Sequence, residues 1–326
     1  MSVLRKVLAV GLCLTASAAG VLAGGDVRLD DELPVYSPKR VVGGSLRSIG
    51  SDTMLNLVQG WAQSFNEKHP AVRVQVEGKG SSTAPPALLE TQAQFGPMSR
   101  AMSDEEKDRF VEKFGYQPTE LRVAIDCVAL FVNKDNPIES LTLDQIEKIF
   151  SVKGSEQMTW GDLGVEDGAW EDRPITLTGR NSASGTYKYF KKYACGGNDF
   201  KPTVQENPGS SGVVNAISRD PSAIGYSGIG YRTPDVKVVP VAFEAGEEAF
   251  GPSVDNAFSG DYPLARFLYL YLNFDKRKAI DPLTEEFIRL IYSKQGQESV
   301  VKDGAFPLSA ELARQELRKL GLEPGF

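Results

Sequence analysis

Residues 178–190 read TGRNSASGTYKYF, and in them Arg180 stands four positions before a Ser184-Gly185-Thr186 triplet. The chemistry this suits is the grip of a small oxyanion. A helix that starts at small hydroxyl residues leaves its first backbone N–H groups unpaired and pointing outward. Those donors, with the positive end of the helix dipole, favour negative charge. Gly185 has no side chain to block close approach. The Ser184 and Thr186 hydroxyls add donors, and Arg180 offers charge in a planar fork matched to an oxyanion. An ordinary capped helix with Arg180 in a surface ion pair would use the same residues, so the motif needs support elsewhere.

Two other turns supply it. Ser51-Asp52-Thr53 and Ser81-Ser82-Thr83 each follow a predicted strand or its loop, and each opens a predicted helix. Around them the chain alternates: a strand at 46–49, a helix at 54–67 with Leu55, Val58, Ala62 and Phe65 at helical spacing, a strand at 72–77, and a second helix at 85–91. A short strand at 95–99 ends at Arg100, and 121–133 is a near-continuous apolar run, as expected of a strand buried on both faces. Strand–turn–helix repetition implies an α/β fold with mostly parallel sheets flanked by helices. Ligands in such sheets sit beyond the carboxyl ends of strands, at helix N-termini. Three helix starts of one chemistry suggest convergence on one small anion. Helices are expected at 141–150, 282–293 and 309–320, and an apolar, aromatic return strand at 262–273.

Length and composition set bounds. A chain of 326 residues with 41% hydrophobic and 24% charged residues is ordinary globular material, long enough for two lobes. The N-terminus carries Arg5 and Lys6, an apolar stretch at 7–14 and Val21-Leu22-Ala23, the pattern of a cleaved export signal too short to span a membrane. Cys13 follows a leucine, a poor match to a lipoprotein cleavage box, so release is expected rather than a lipid anchor. Formal net charge is −7 before the signal takes Arg5 and Lys6 away. An acidic surface argues against nucleic acid or anionic membrane as partner. Cys127 and Cys195 remain after export; an oxidising compartment permits a disulfide between them, and a buried thiol on the apolar strand is the alternative.

In order along the chain these segments resemble the phosphate-binding proteins of phosphate-specific ABC transporters, class II periplasmic binding proteins. The carriers are Arg180-x-x-x-Ser184-Gly185-Thr186, IGSDT at 49–53, GSS at 80–82, VNKDNPI at 132–138, LTLDQIEKIF at 141–150, AIGYSGIGY at 223–231 and a Lys-x-Gly-Gln segment at 294–297. The resemblance covers about 45–308 and implies a two-lobe clamp joined by two crossover strands. Lobe 1 would comprise 45–122 plus 262–326 and lobe 2 would comprise 123–261, after a signal at 1–23 and a linker at 24–44. It implies inorganic phosphate as ligand and an ABC transporter membrane permease as partner, with no cofactor, a monomeric state and a periplasmic location. Thr53 and Ser81 would donate from one lobe, and Arg180, Ser184, Gly185 and Thr186 from the other, with Ser51 and Ser82 at the same loops and Arg100 at the end of the third strand. The chain departs from the pattern in one place. The family sets an aspartate after the third-strand serine to accept the proton of hydrogen phosphate, whereas Ser99 is followed here by Arg100, which only donates. Asp52 and Asp126 are the candidate replacements, against the plainer roles of helix cap for Asp52 and arginine partner for Asp126.

Two rival functions use the same scaffold. A secreted phosphatase or hydrolase would need catalytic groups, but the chain has a single histidine, His69, expected in a solvated loop. It has no G-x-S-x-G elbow, no Walker pattern and no metal-spaced cysteines. A surface adhesin would use the exterior, such as the acidic EAGEE loop at 244–248.

Overall fold

The computed structural model describes residues 27–323; the predicted export signal lies outside them. The chain opens with β1 (Gly44–Gly50), α1 (Leu55–Lys68), β2 (Val72–Gly78), α2 (Ala84–Leu89), β3 (Phe95–Met98) and α3 (Asp104–Phe114). The long β4 (Thr119–Asn133) leads into β5 (Leu141–Thr142), α4 (Leu143–Phe150), β6 (Thr176–Arg180) and α5 (Gly185–Tyr193). Then come β7 (Gln205–Asn207), α6 (Ser210–Arg219), β8 (Ala223–Gly228), β9 (Val236–Val239), β10 (Val241–Ala242) and α7 (Val254–Ser259). The return strand β11 (Ala265–Leu272) is followed by α8 (Pro282–Ile291), α9 (Lys294–Lys302) and α10 (Ala310–Arg318).

The main sheet runs β2-β1-β3-β11-β4-β8-β6-β7, with β9 also paired to β4. β1 is parallel to β2 and β3, and β6 is parallel to β7 and β8. Between these two parallel parts run the two crossover strands, antiparallel to each other: residues 119–127 of β4 pair with β11, and residues 128–133 pair with β8 and β9. The result is the two-lobe class II architecture expected from the sequence. Nearly every residue of β4 is buried, which is why it reads as an unbroken apolar run rather than an alternating one. In α1, Leu57, Val58, Trp61, Ala62 and Phe65 form the buried stripe, and Trp61 Nε1 donates to Gly296 O at 2.9 Å. Each such large apolar side chain contributes about 1.5–3 kcal/mol by its burial.

Several expectations need correction. The segment expected as a linker is a packed strap, with Leu33, Tyr36 and Val42 in the core. Tyr36 OH donates to Glu286 Oε2 at 2.8 Å and meets His69 Nε2 at 2.7 Å. His69 is therefore fully buried, not a solvated loop residue, and burial pushes its pKa down. Cys127 and Cys195 are both free and buried, one beside Asp126 and Arg266, the other beside Glu147 and Lys191. Burial raises both thiols, Cys195 to about 12, so they are protonated core groups rather than a disulfide. The helix α3 escaped the sequence reading although Ser103 and Glu106 form a complete capping box at its start. Among the described residues, no helix is long and apolar enough to cross a membrane.

Candidate functional site

The three hydroxyl-rich turns meet where the lobes close on each other, but they are not three capped helices. Ser184 is the N-cap of α5, its Oγ accepting from Thr186 N at 3.1 Å and Tyr187 N at 3.4 Å. By contrast α1 has Met54 at its N-cap position with no side-chain cap, and 81–83 form a short 3₁₀ turn, also uncapped by a side chain. The side chains of Asp52, Thr53, Ser81 and Ser82 are thus free of capping duty; those of Asp52, Thr53 and Ser81 meet other partners, and Ser82 Oγ meets none among the described residues.

Arg180 ends β6 and is completely buried. Its Nη2 forms an ion pair with Asp52 Oδ2 across the lobes and donates to Pro208 O at 3.3 Å, while Nη1 donates to Ser210 Oγ at 2.7 Å. Asp52 is therefore neither cap nor surface group. A buried cation is tolerable only with such a partner, because desolvation of an isolated charge costs several kcal/mol. The pair still leaves polar atoms over: Arg180 Nε, Asp52 Oδ1, Ser51 Oγ and Ser82 Oγ are buried without hydrogen-bond partners among the described residues. Burying such groups unsatisfied costs roughly 1–3 kcal/mol each, so this cluster carries unused capacity to bind a polar group.

The facing surfaces fit tightly. Thr53 and Thr186 share a hydrogen bond between hydroxyls at 3.0 Å, and Ser82 N donates to Ala183 O at 3.1 Å. Gly80 has φ +103°, and a Cβ there would lie 2.6 Å from Ala183 O. A Cβ on Gly185 would lie 2.3 Å from Ser81 Oγ and 2.6 Å from Ser99 Oγ. Glycine at 185 is what lets the start of α5 approach the serines of the other lobe. Ser81 Oγ also accepts from Ser99 N at 3.0 Å, which ties the 81–83 turn to the end of β3. Tyr231 OH donates to the carbonyls of Asp52 and Thr53, at 3.1 and 3.2 Å, holding that turn from the second lobe.

Two sequence-chosen residues stand apart from Arg180. Arg100 turns to α3, where its Nη1 and Nη2 grip Glu106 at 2.7 and 2.6 Å. Asp126 pairs with neither Arg180 nor Arg100 but with Arg266, whose Nε and Nη2 donate to Oδ2 at 3.1 and 2.7 Å, and Oδ1 accepts from Ile229 N at 3.3 Å. Arg266 was missed from sequence, yet it belongs to the site: its Nη2 also donates to Thr186 Oγ1 at 2.8 Å. The signal was present, as the one charged residue in the apolar, aromatic β11. Among the described residues no group of three or more His, Cys, Asp or Glu is arranged to hold a metal ion.

Comparison with known proteins bears on the family and the fold. A family model for a PBP superfamily domain matches residues 37–295. The chain is 49% identical over 315 residues to the phosphate-binding protein PstS of Pseudomonas aeruginosa, covering 95% of this chain and 97% of that one. It is 26% identical over 258 residues to the PstS of Staphylococcus epidermidis, 78% of this chain and 76% of the relative. Among solved structures, a Clostridium perfringens ABC transporter substrate-binding protein with bound phosphate superposes with a TM-score of 0.67 at 25% identity, over 82% of this chain and all of the other (100%). An ABC-type phosphate transport receptor from Vibrio cholerae shares the fold, with a TM-score of 0.64 at 24% identity, over 81% of this chain and 100% of its own. On these grounds, and with Arg180, Ser184, Gly185 and Thr186 assembled at the closed lobes, the chain belongs to the PstS family of phosphate-binding proteins within the PBP superfamily.

Proposed function

We propose that this protein is an extracytoplasmic solute-binding protein, not an enzyme, which captures inorganic phosphate between its lobes and delivers it to the membrane permease of an ABC importer. The observation that carries the reading is the fully buried Arg180 at the lobe junction, surrounded by polar atoms with unused hydrogen-bonding capacity. In this reading Arg180 supplies charge, and Thr53, Ser81, Ser82, Ser184, Gly185 and Thr186 supply hydroxyl and N–H donors, with Ser51 beside them. Lobe 1 comprises 45–122 plus 262–326 and lobe 2 comprises 123–261. The protein acts as a monomer in the periplasm after loss of the signal at 1–23.

The missing family aspartate has a replacement in this reading. Asp126 is occupied by Arg266 and Ile229 N, whereas Asp52 keeps Oδ1 buried and unpartnered beside Arg180. Asp52 is therefore assigned as acceptor of the hydrogen phosphate proton. Sulfate brings no such proton and would set an unpaired lone pair against the carboxylate, a penalty of roughly 1–3 kcal/mol or more. Arg100 is left out of the ligand set because Glu106 holds it. Native mass spectrometry of the purified protein tests the main reading: a single phosphate adduct, absent from Arg180→Ala, is expected. A phosphate-releasing activity on ester substrates would instead support the hydrolase alternative.

A further inference from the structure

Beside the Arg180 cluster lies a cavity of about 510 Å³ that the proposed ligand set does not use. One wall comes from the first lobe, where Arg100 to Asp104 lead into α3 and Lys107 follows; the opposite wall is Lys188, Tyr189, Lys192 and Tyr193 of α5. The floor is β11. Five cationic side chains line it, Arg100, Lys107, Lys188, Lys192 and Arg266, against the single carboxylate Asp104. The partners of three of these cations stand outside the lining: Glu106 at 2.6 Å from Arg100, Glu120 at 3.7 Å from Lys107 and Asp126 at 2.7 Å from Arg266. Lys188 and Lys192 form no ion pair among the described residues. Burial, and after it the nearby Arg100, draws the Lys188 ammonium below the usual lysine range, against the opposing pull of Glu106 and Glu105.

The walls are aromatic as well as cationic. Tyr189 OH donates to Ala265 O at 2.7 Å and Tyr262 OH to Val128 O at 2.9 Å, so these rings are pinned by the backbone, with Phe267 and Tyr269 beside them. With Arg100, Lys107 and Arg266 offset by their carboxylates, the positive excess comes from Lys188 and Lys192 against Asp104, and an excess of one sign in low-dielectric walls focuses a field rather than losing it to water. Arg266 links this space to the inner cluster. It lines the cavity, its Nη2 holds Thr186 Oγ1, and its Nη1 is buried without a partner.

We infer that the cavity is an outer anion-collecting site, for inorganic phosphate and oxyanions of similar size, on the route from solvent to Arg180. This rests on the phosphate reading of the inner cluster. It answers a physical difficulty of that reading, since a chain of net charge −7, more acidic still without Arg5 and Lys6, repels the anion it captures. A focused local field can raise association rates by about 10–10³ despite an unfavourable mean charge.

Stopped-flow association of inorganic phosphate with stripped protein, at low salt and at about 0.5 M salt, tests the inference. Debye screening at high salt removes a steering field but leaves direct contacts in place. The double variant Lys188→Gln/Lys192→Gln is expected to associate at least about threefold more slowly than wild type at low salt, and Lys188→Glu/Lys192→Glu at least about tenfold more slowly. Both differences should vanish at high salt, and the dissociation rate should stay unchanged throughout. Association rates equal to wild type, or reduced equally at both salt concentrations, would overturn the outer site while leaving the inner one standing. Absence of phosphate binding by the wild type would instead overturn the reading of the inner site, and the outer site with it.

Discussion

Two of the buried arginine–carboxylate pairs, Arg266 with Asp126 and Arg180 with Asp52, lie near each other and differ in what they join. Arg266 and Asp126 lie opposite each other on β11 and β4, at directly paired positions of neighbouring strands. Strand register brings them together whether or not the lobes meet. Arg180 ends β6 and Asp52 follows β1, strands near opposite ends of the main sheet, so no strand pairing brings these two together. The first pair contacts the site through one hydrogen bond to Thr186, and the second is at its centre with Nε and Oδ1 unpartnered. In the clamp proposed above, one pair is a fixed part of the hinge and the other a latch that the ligand completes.

Arg180→Ala breaks the latch and is expected to have the largest effect on binding. The charge of Arg180 and its charge-assisted hydrogen bonding to an enclosed anion would be lost, each such bond being worth roughly 1.5–3 kcal/mol. Phosphate affinity measured by calorimetry should fall at least about a hundredfold, about 2.8 kcal/mol. Arg180→Lys should also fall substantially, because an ammonium cannot reproduce the planar fork. Arg266→Ala inverts the pattern. It leaves Asp126 buried and uncompensated, a loss of about 3–5 kcal/mol in stability, and should lower the denaturant midpoint more than Arg180→Ala does while weakening phosphate binding less. Equal effects of the two variants on binding would erase the distinction between hinge and latch.

Gly185→Ala sharpens the comparison without touching a charge. Its methyl would meet Ser81 Oγ and Ser99 Oγ at 2.3 and 2.6 Å, so the lobes could not close to their present separation. Phosphate affinity should drop about tenfold or more while the melting temperature of the stripped protein stays near wild type. Normal affinity would mean that the close approach is dispensable.

How much of this the sequence disclosed depends on distance along the chain. The arginine motif was legible because Arg180 to Thr186 is local and Ser184 does cap α5. The crossover strands were legible because burial on both faces leaves an apolar run. The partners of the arginines were not, since Asp52 lies 128 residues from Arg180 and Asp126 lies 140 from Arg266. Their meeting is fixed by lobe closure and by the register of β11 on β4, neither of which is written locally. The same reason hid the strap, whose Tyr36 meets Glu286, His69 and Gln295 in distant elements.

Asp52→Asn acts on selectivity more than on affinity for phosphate. Asparagine keeps an acceptor oxygen and adds donors that sulfate can use, so the phosphate-to-sulfate affinity ratio should shrink by about tenfold or more, while Asp126→Asn should leave that ratio in place. Sulfate exclusion unchanged in Asp52→Asn would put the proton acceptor elsewhere.

The last expected effect concerns pH and stability rather than binding. Asp303, beside Asp126, is pushed up to about 7, first by burial and then by the Asp126 charge. The folded protein keeps this proton to higher pH than the unfolded chain does. The stabilisation is complete below about pH 4, the ordinary carboxylate range, and is lost as pH rises toward 7. Asp303→Asn should flatten that part of a stability–pH curve recorded by chemical denaturation, and an unaltered slope would remove Asp303 as its source.

The central claim is met most directly by titrating phosphate into protein stripped of bound ligand and following its melting temperature. The account predicts one-to-one binding and stabilisation of about 2.7 kcal/mol at a hundredfold excess over the dissociation constant, absent in Arg180→Ala. A wild-type melting temperature indifferent to millimolar phosphate would contradict it.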